Sequence, residues 1–207
     1  MDRRRWVIVT VVALAAFVGA FMFASRNDDD DRGVGELDID DLDALTVEAR
    51  ELVTRAEQGG QVTHHAVYEQ SGGHRFEVWT DGERVREETT PAQGERRLLL
   101  RNGSDVVACL EEADAWVCDE TDEPVADVQS RMDQLVADLV GAEVVISNGT
   151  IADLEVQCFE ISGGEEAVEI CLTQEGVLAR LAAGDDRLEL VSLDDDVDDS
   201  RFEPPDE

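Results

Sequence analysis

The chain is 207 residues long, and its 50 Asp plus Glu against 17 Lys plus Arg give a formal net charge of -33. That length accommodates one ordinary domain with an appendage rather than two large domains. So acidic a surface repels nucleic acid and anionic lipid headgroups at long range, which excludes a binder of phosphate backbones and reads most simply as solvation of an exported domain.

Arg3, Arg4 and Arg5 precede an uncharged apolar run from Trp6 to Ala24. At about 1.5 Å per residue this run comes close to the thickness of a bilayer's hydrocarbon core. The arginines on one side and Asp28 to Asp31 on the other orient it with the N-terminus in the cytoplasm. The competing reading is a cleaved secretory signal, because Val18, Gly19 and Ala20 offer small residues at a cleavage position, whereas the unbroken run beyond Ala20 favours an uncleaved anchor. The expected divisions are a basic cytoplasmic tail over 1–5, a transmembrane signal-anchor over 6–24, an acidic tether over 25–36 and an extracytoplasmic domain over 37–205. The expected location is therefore the cell membrane, single-pass, with the C-terminal domain outside.

After the tether, Leu42, Leu45, Ala49, Leu52, Val53 and Ala56 recur at helical spacing, with acids before them and Gly59 and Gly60 after. The pattern then alternates, with Ser71-Gly72-Gly73, Asp81-Gly82 and Asn102-Gly103 as hairpin turns between antiparallel strands. Residues 124–140 return to helical spacing through Val125, Val128, Met132, Leu135, Val136 and Leu139, beginning at Pro124. The remainder is again strand-like, with turns at Ser162-Gly163-Gly164, Glu175-Gly176 and Gly184-Asp185-Asp186, and the tail closes in acid and proline. This is an α+β domain in which amphipathic helices cover the apolar face of an antiparallel sheet. Val67, Phe76, Val78, Trp79, Leu99, Trp116, Phe159, Ile161, Ile170, Leu172, Leu188 and Leu190 are the candidates for its core or for the lining of a cavity, and periodicity alone does not separate the two.

Four cysteines in an exported domain read as two disulfides. Cys109 and Cys118 flank one predicted hairpin and Cys158 and Cys171 flank another, so local pairing is expected among the three possible connectivities. Each such loop closure contributes about 3 kcal/mol through the unfolded state. No cysteine pair has the short spacing of a zinc chelate. His64 and His65 are adjacent on a strand and point to opposite faces, so they do not converge with His74 on a metal. A nucleophile elbow and a phosphate loop are both missing from the sequence, and Asp194 to Asp199 lacks the ligand alternation of a calcium loop. Neither catalysis, nor a metal, nor a cofactor is expected.

The stretch from Val156 to Pro205, with Cys158-Phe159, the Glu169-Ile170-Cys171 strand, the Glu175-Gly176 turn and the terminal Phe202-Glu203-Pro204-Pro205, resembles actinobacterial exported proteins related to LolA, LppX and LprG. The resemblance spans about residues 60 to 205. It implies a strongly curved antiparallel half-barrel with helices across its mouth, enclosing an apolar cavity for lipids or acyl chains. It implies no catalytic residue. The leading expectation is thus a membrane-anchored extracytoplasmic domain that binds or carries an apolar, lipid-like ligand. The alternative is a structural or sensory ectodomain that binds another envelope protein without a ligand cavity, and a sealed core would favour it.

Overall fold

The computed structural model of the chain describes residues 45–113, 115–120, 139, 141–163 and 167–205. The expected tail, membrane helix and tether, and all of the expected 124–140 helix but Leu139, lie outside the described residues. Among the described residues, no helix is long and apolar enough to cross a membrane.

Helix α1, Val47–Gly59, begins at Thr46, whose side-chain oxygen accepts the Ala49 N–H at 3.2 Å and so caps one of the first turn's orphan donors. Its stripe of Ala49, Leu52, Val53 and Ala56 is buried. Leu45 is buried too, although it precedes the helix.

The strands are β1 (His64–Gln70), β2 (His74–Asp81), β3 (Arg84–Thr90), β4 (Arg97–Asn102), β5 (Asp105–Glu112), β6 (Ala115–Glu120), β7 (Glu143–Ile151), β8 (Leu154–Ser162), β9 (Val168–Thr173), β10 (Leu178–Ala183) and β11 (Asp186–Asp194). They form one open 11-stranded sheet in the order β6-β5-β4-β3-β2-β1-β11-β10-β9-β8-β7. Two meanders, β1 to β6 and β7 to β11, are joined where the last strand returns to pair with the first. Every neighbouring pair is antiparallel. The second meander is curled: β7 comes back into contact with β11 although three strands lie between them in the ladder. Register shifts at Val67/Tyr68 and at Leu178/Arg180 accommodate the curl, since an extra residue on one strand bends it and increases its twist.

Both disulfides join residues that face each other across a ladder. Cys109 pairs with Cys118 at a Cα separation of 4.0 Å, and Cys158 with Cys171 at 3.9 Å. Such short separations mark the narrow, non-hydrogen-bonded pairs of an antiparallel ladder.

One contact ties the helix to the sheet. A Cβ at Gly59 would lie 2.1 Å from the Gly176 carbonyl oxygen, and one at Gly176 would lie 1.9 Å from the carbonyl oxygen of Arg55. Gly176, with φ of +88°, closes the turn between β9 and β10, which is pinned by Thr173 N–H to Val177 O at 2.9 Å and Val177 N–H to Thr173 Oγ1 at 3.1 Å. Backbone thus touches backbone where side chains would force the elements apart. The β7–β8 turn is the reverse case: Ala152 (φ +48°) and Asp153 (φ +62°) occupy left-handed conformations that cost a residue bearing a Cβ about 1 kcal/mol or more.

Two substitutions are expected to move stability in opposite directions. Gly176→Ala should lower the unfolding free energy by about 3 kcal/mol, from overpacking added to the positive φ. Ala152→Gly should raise it by several tenths to about 1 kcal/mol. Urea titration of both variants checks the pair, and equal effects at the two turns would refute the assignment of strain.

Candidate functional site

Strand register decides which of the apolar candidates share a face, because residues directly opposite each other lie on the same side of the sheet. Leu188, Leu181, Ile170, Phe159 and Ile146 stand opposite one another from β11 to β7. Ile161 and Leu172 follow two residues along on the same side, and the row Phe76, Tyr68, Leu190 continues that face into the first meander. Val78 and Leu99 belong to it by alternation.

Val67, Trp79 and Trp116 do not. Val67 faces Glu77, Trp79 faces Arg86 and Trp116 faces Glu111, all on the opposite side. The twelve candidates therefore do not line a single cavity. Hairpin turns disclose where strands reverse, but a run of alternating residues does not reveal which of its two sides meets the helices.

On the apolar face the packing is tight. Phe159, Leu52 and Leu139 expose none of their surface, and Leu172 exposes 2%. Cys158, next to Phe159 and pointing the other way, is also buried, so both faces of β8 are covered at this point. Ala66, Tyr68, Ile151, Val156, Ala179 and Leu190 cluster with the Cys158–Cys171 disulfide, and Phe76, Val78 and Leu188 pack against them. The Tyr68 hydroxyl donates to the Leu178 carbonyl at 3.0 Å, and burial pushes its pKa above the ordinary tyrosine value.

The opposite face of β2 to β4 is closed by the C-terminal segment, a 3-10 turn at Asp199–Phe202 that contacts β3 and β4. Arginines at alternate positions of β3 hold it. Arg84 lies 4.5 Å over the Phe202 ring and donates to Asp199 at 2.8 Å and to Asp81. Arg86, itself buried, donates to the Arg201 carbonyl at 2.7 Å and to Glu88. Trp79 receives Arg86 on its ring at 5.6 Å and Arg201 at 5.5 Å, while the His65 ring stacks against it with centroids 4.4 Å apart and planes 3° from parallel. Farther along, Arg96 bridges Glu88 at 3.1 Å and lies 5.3 Å over Trp116, beside the cluster of Leu98, Leu100 and Cys109. Sequence reasoning missed this lattice. Its signal was the alternation of Arg84 and Arg86 one strand from Trp79.

The histidines serve packing. His64 is buried with Nδ1 2.8 Å from the Val62 carbonyl, which makes that nitrogen the donor, and burial lowers its pKa. His65 is on the Trp79 side and 3.3 Å from Glu77, whereas His74 pairs with Gln70 at the other end of β2. The one close grouping of metal-type donors among the described residues is Cys158, Glu169 and Cys171, and its two sulfurs are bonded to each other. An open depression of about 320 Å3 runs along the outer side of α1, lined by Val47, Arg50, Glu51, Thr54, Arg55 and Gln58. Five of these six residues are polar or charged, and none is aromatic, unlike the hydrophobic and aromatic side chains that line a lipid-binding cleft.

No family model and no curated protein matches the chain. Among solved structures it is similar to MucB, at 14% identity and a TM-score of 0.52, over 77% of this chain and 64% of that one. The fold is LolA-like. The chain thus spans less than two thirds of the MucB chain it matches. A second structure, MucB in complex with MucA(peri), matches at 15% identity and a TM-score of 0.48, over 72% of this chain and 56% of that one. PNGF-II matches at 13% identity and a TM-score of 0.38, over 68% of this chain and 29% of that one.

The closure by the C-terminal segment is expected to be acid-sensitive. Asp81 has its pKa lowered chiefly by the hydrogen bond from Arg84 and next by that from Thr63, and Asp198, which caps the 3-10 turn, has its pKa lowered by the Ser200 N–H. A carboxylate depressed in the folded state contributes fully above its ordinary value of 3.8 and loses that contribution as pH falls through the lower folded value. Tryptophan emission, which includes Trp79 beneath Arg201, should therefore change below pH 3.8 before the sheet's circular dichroism does. The variant Asp81→Asn should show part of that change already at pH 7. Coincident acid transitions by both probes would show that the segment has no separate closure.

Proposed function

We propose that this chain is a membrane-anchored, extracytoplasmic binding domain that recognises another envelope protein. The observation that carries the reading is the packed centre of the apolar face. With Phe159, Leu52 and Leu139 wholly buried, no water-sized space adjoins these side chains, so an acyl chain does not fit beside them without displacing an element. On this reading the residues that would line a lipid cavity serve instead as the core behind a binding surface. The scattered carboxylates and the divergent histidines support binding rather than catalysis. The anchor rests on the Trp6 to Ala24 run and its flanking arginines. MucB has been determined with MucA(peri) bound. For this chain the reading stands on its own packed interior.

A second reading is favoured by the pattern around Cys158, Cys171 and Phe202 to Pro205, which resembles that of LppX and LprG, together with the LolA-like fold: carriage of a lipid or acyl chain in a cavity opened by displacing α1. Each buried methylene would contribute about 0.8 kcal/mol to retention.

The experiment that separates the two starts from full-length protein isolated from its own envelope. Native mass spectrometry should return the polypeptide without stoichiometric lipid. Cross-linking in intact cells should yield one protein complex that reforms from its purified components. A released lipid at one per chain would replace the partner-binding reading with the carrier.

A further inference from the structure

The two ends of the open sheet differ. β6 is short, runs over Ala115–Glu120 and ends in Asp119 and Glu120. Charge at an edge is a usual protection against strand addition. β7 is longer, Glu143–Ile151, and after Glu143 it reads Val-Val-Ile-Ser-Asn-Gly-Thr-Ile, with no charge and no proline. It pairs with β8 along its whole length without a register shift, so no bulge turns it away. Its outer side has no hydrogen-bonded strand among the described residues, and the contacts β7 makes besides β8 are with α1 and β11. Val145 is 52% exposed, and Ser147, Asn148, Gly149 and Thr150 are all exposed.

The second disulfide reveals which backbone groups this edge offers. Cys158 and Cys171 form a narrow pair, with Cα atoms 3.9 Å apart, so the N–H and C=O of Cys158 point away from β9 and toward β7. Cys158 faces Ser147, which therefore exchanges both bonds with it. By alternation, Val144, Ile146, Asn148 and Thr150 direct their N–H and C=O groups outward. That row is a complete half-ladder.

We propose that the outer edge of β7 accepts an extended, basic segment of a partner protein as an added strand. This rests on the partner-binding reading above and deepens it by naming the surface and the chemistry. The occupant follows from charge. A second copy would bring -33 against -33, and the carboxylates nearest the edge have the same sign: Glu143 at its start, and Glu160 and Glu155 on β8 opposite Val145 and Thr150, all exposed. Glu155 is held by Gln174 at 2.7 Å, and the described β7 residues carry no base to neutralise it. An added strand lies two strand spacings, about 9.5 Å, from β8, so its arginines or lysines feel these acids, one on each face, through charge attraction across β7 rather than through direct ion pairs. Backbone bonds supply affinity, and the acids select a basic segment over an acidic one or a second copy.

The test uses the full chain in micelles of an uncharged detergent, with two synthetic nine-residue peptides as probes, one alternating valine with arginine and the other valine with glutamate. Hydrogen exchange is read at single residues. The arginine peptide should slow exchange at the Val144, Ile146, Asn148 and Thr150 amides by about tenfold or more, while Val145, Ser147 and Gly149 are protected without it. The glutamate peptide should slow none of them. Asn148→Pro removes only an outward N–H and should abolish the effect with an unchanged thermal melt. The exposed pair Glu155→Gln and Glu160→Gln, which spares the backbone, should weaken the arginine peptide by about threefold or more and flatten its salt dependence. No slowing at the four amides would overturn the proposal. So would binding that survives Asn148→Pro, or slowing without peptide that grows with protein concentration, which would identify a second copy as the occupant. A cross-linked cellular partner whose contacts miss β7 would sink the edge proposal and leave the partner-binding reading intact.

Discussion

A single eleven-stranded sheet has two faces to take out of water, and the rest of the structure follows from how each is covered. One face is solved by hydrophobic burial: a five-strand row of leucine, isoleucine and phenylalanine, buried at Ile170 and Phe159 in its centre and partly buried at Leu188, Leu181 and Ile146. The other is solved, over β2 to β4, by planar cations lying on aromatic rings beneath a returning C-terminal segment. Arginine suits the second solution because its guanidinium stacks and forks at once. Arg86 covers Trp79 while donating to Glu88 and to the Arg201 carbonyl. The sequence contains no lysine, so its 17 Lys plus Arg positions are all arginine.

The two solutions differ in strength. Apolar burial neither titrates nor is screened by salt, whereas the cation lattice around Asp81, Asp198 and Arg84 depends on ionised carboxylates within reach of solvent. The C-terminal segment is therefore the closure that acid and salt reach, and the Gly59–Gly176 contact, made without charges, is not. At that contact two backbones meet with no side chain between them, so α1 and the β9–β10 turn cannot shift independently.

Much of this was legible in the residues. Hairpins closed by Gly-rich turns located the strands, and the two cysteine pairs at hairpin flanks gave the connectivity, because residues that flank a short turn end up opposite each other. Three things were not legible. The Ala152-Asp153 turn carries no glycine or asparagine, and only the structure shows its positive φ values. The division of Val67, Trp79 and Trp116 from the other apolar candidates requires a register, which alternation within single strands does not provide. The role of Arg84 and Arg86 depends on Asp199 to Glu203, more than a hundred residues away, and their alternation beside Trp79 marks the cations without naming the segment they hold.

The acidic composition then takes on a structural meaning beyond solubility. An open sheet with an uncharged edge would ordinarily be a route to self-association, and natural sequences place charge on the strand itself to prevent it. Here β7 carries only Glu143, and repulsion comes instead from the strand behind it and from the molecule as a whole. The two kinds of protection are not equivalent. A charge on the edge strand opposes every incoming strand by desolvation, whatever its sign, whereas a diffuse negative field opposes only acidic ones and draws basic ones in. The field is also screened within about a Debye length, so it discriminates between partners at moderate ionic strength and loses that discrimination in concentrated salt.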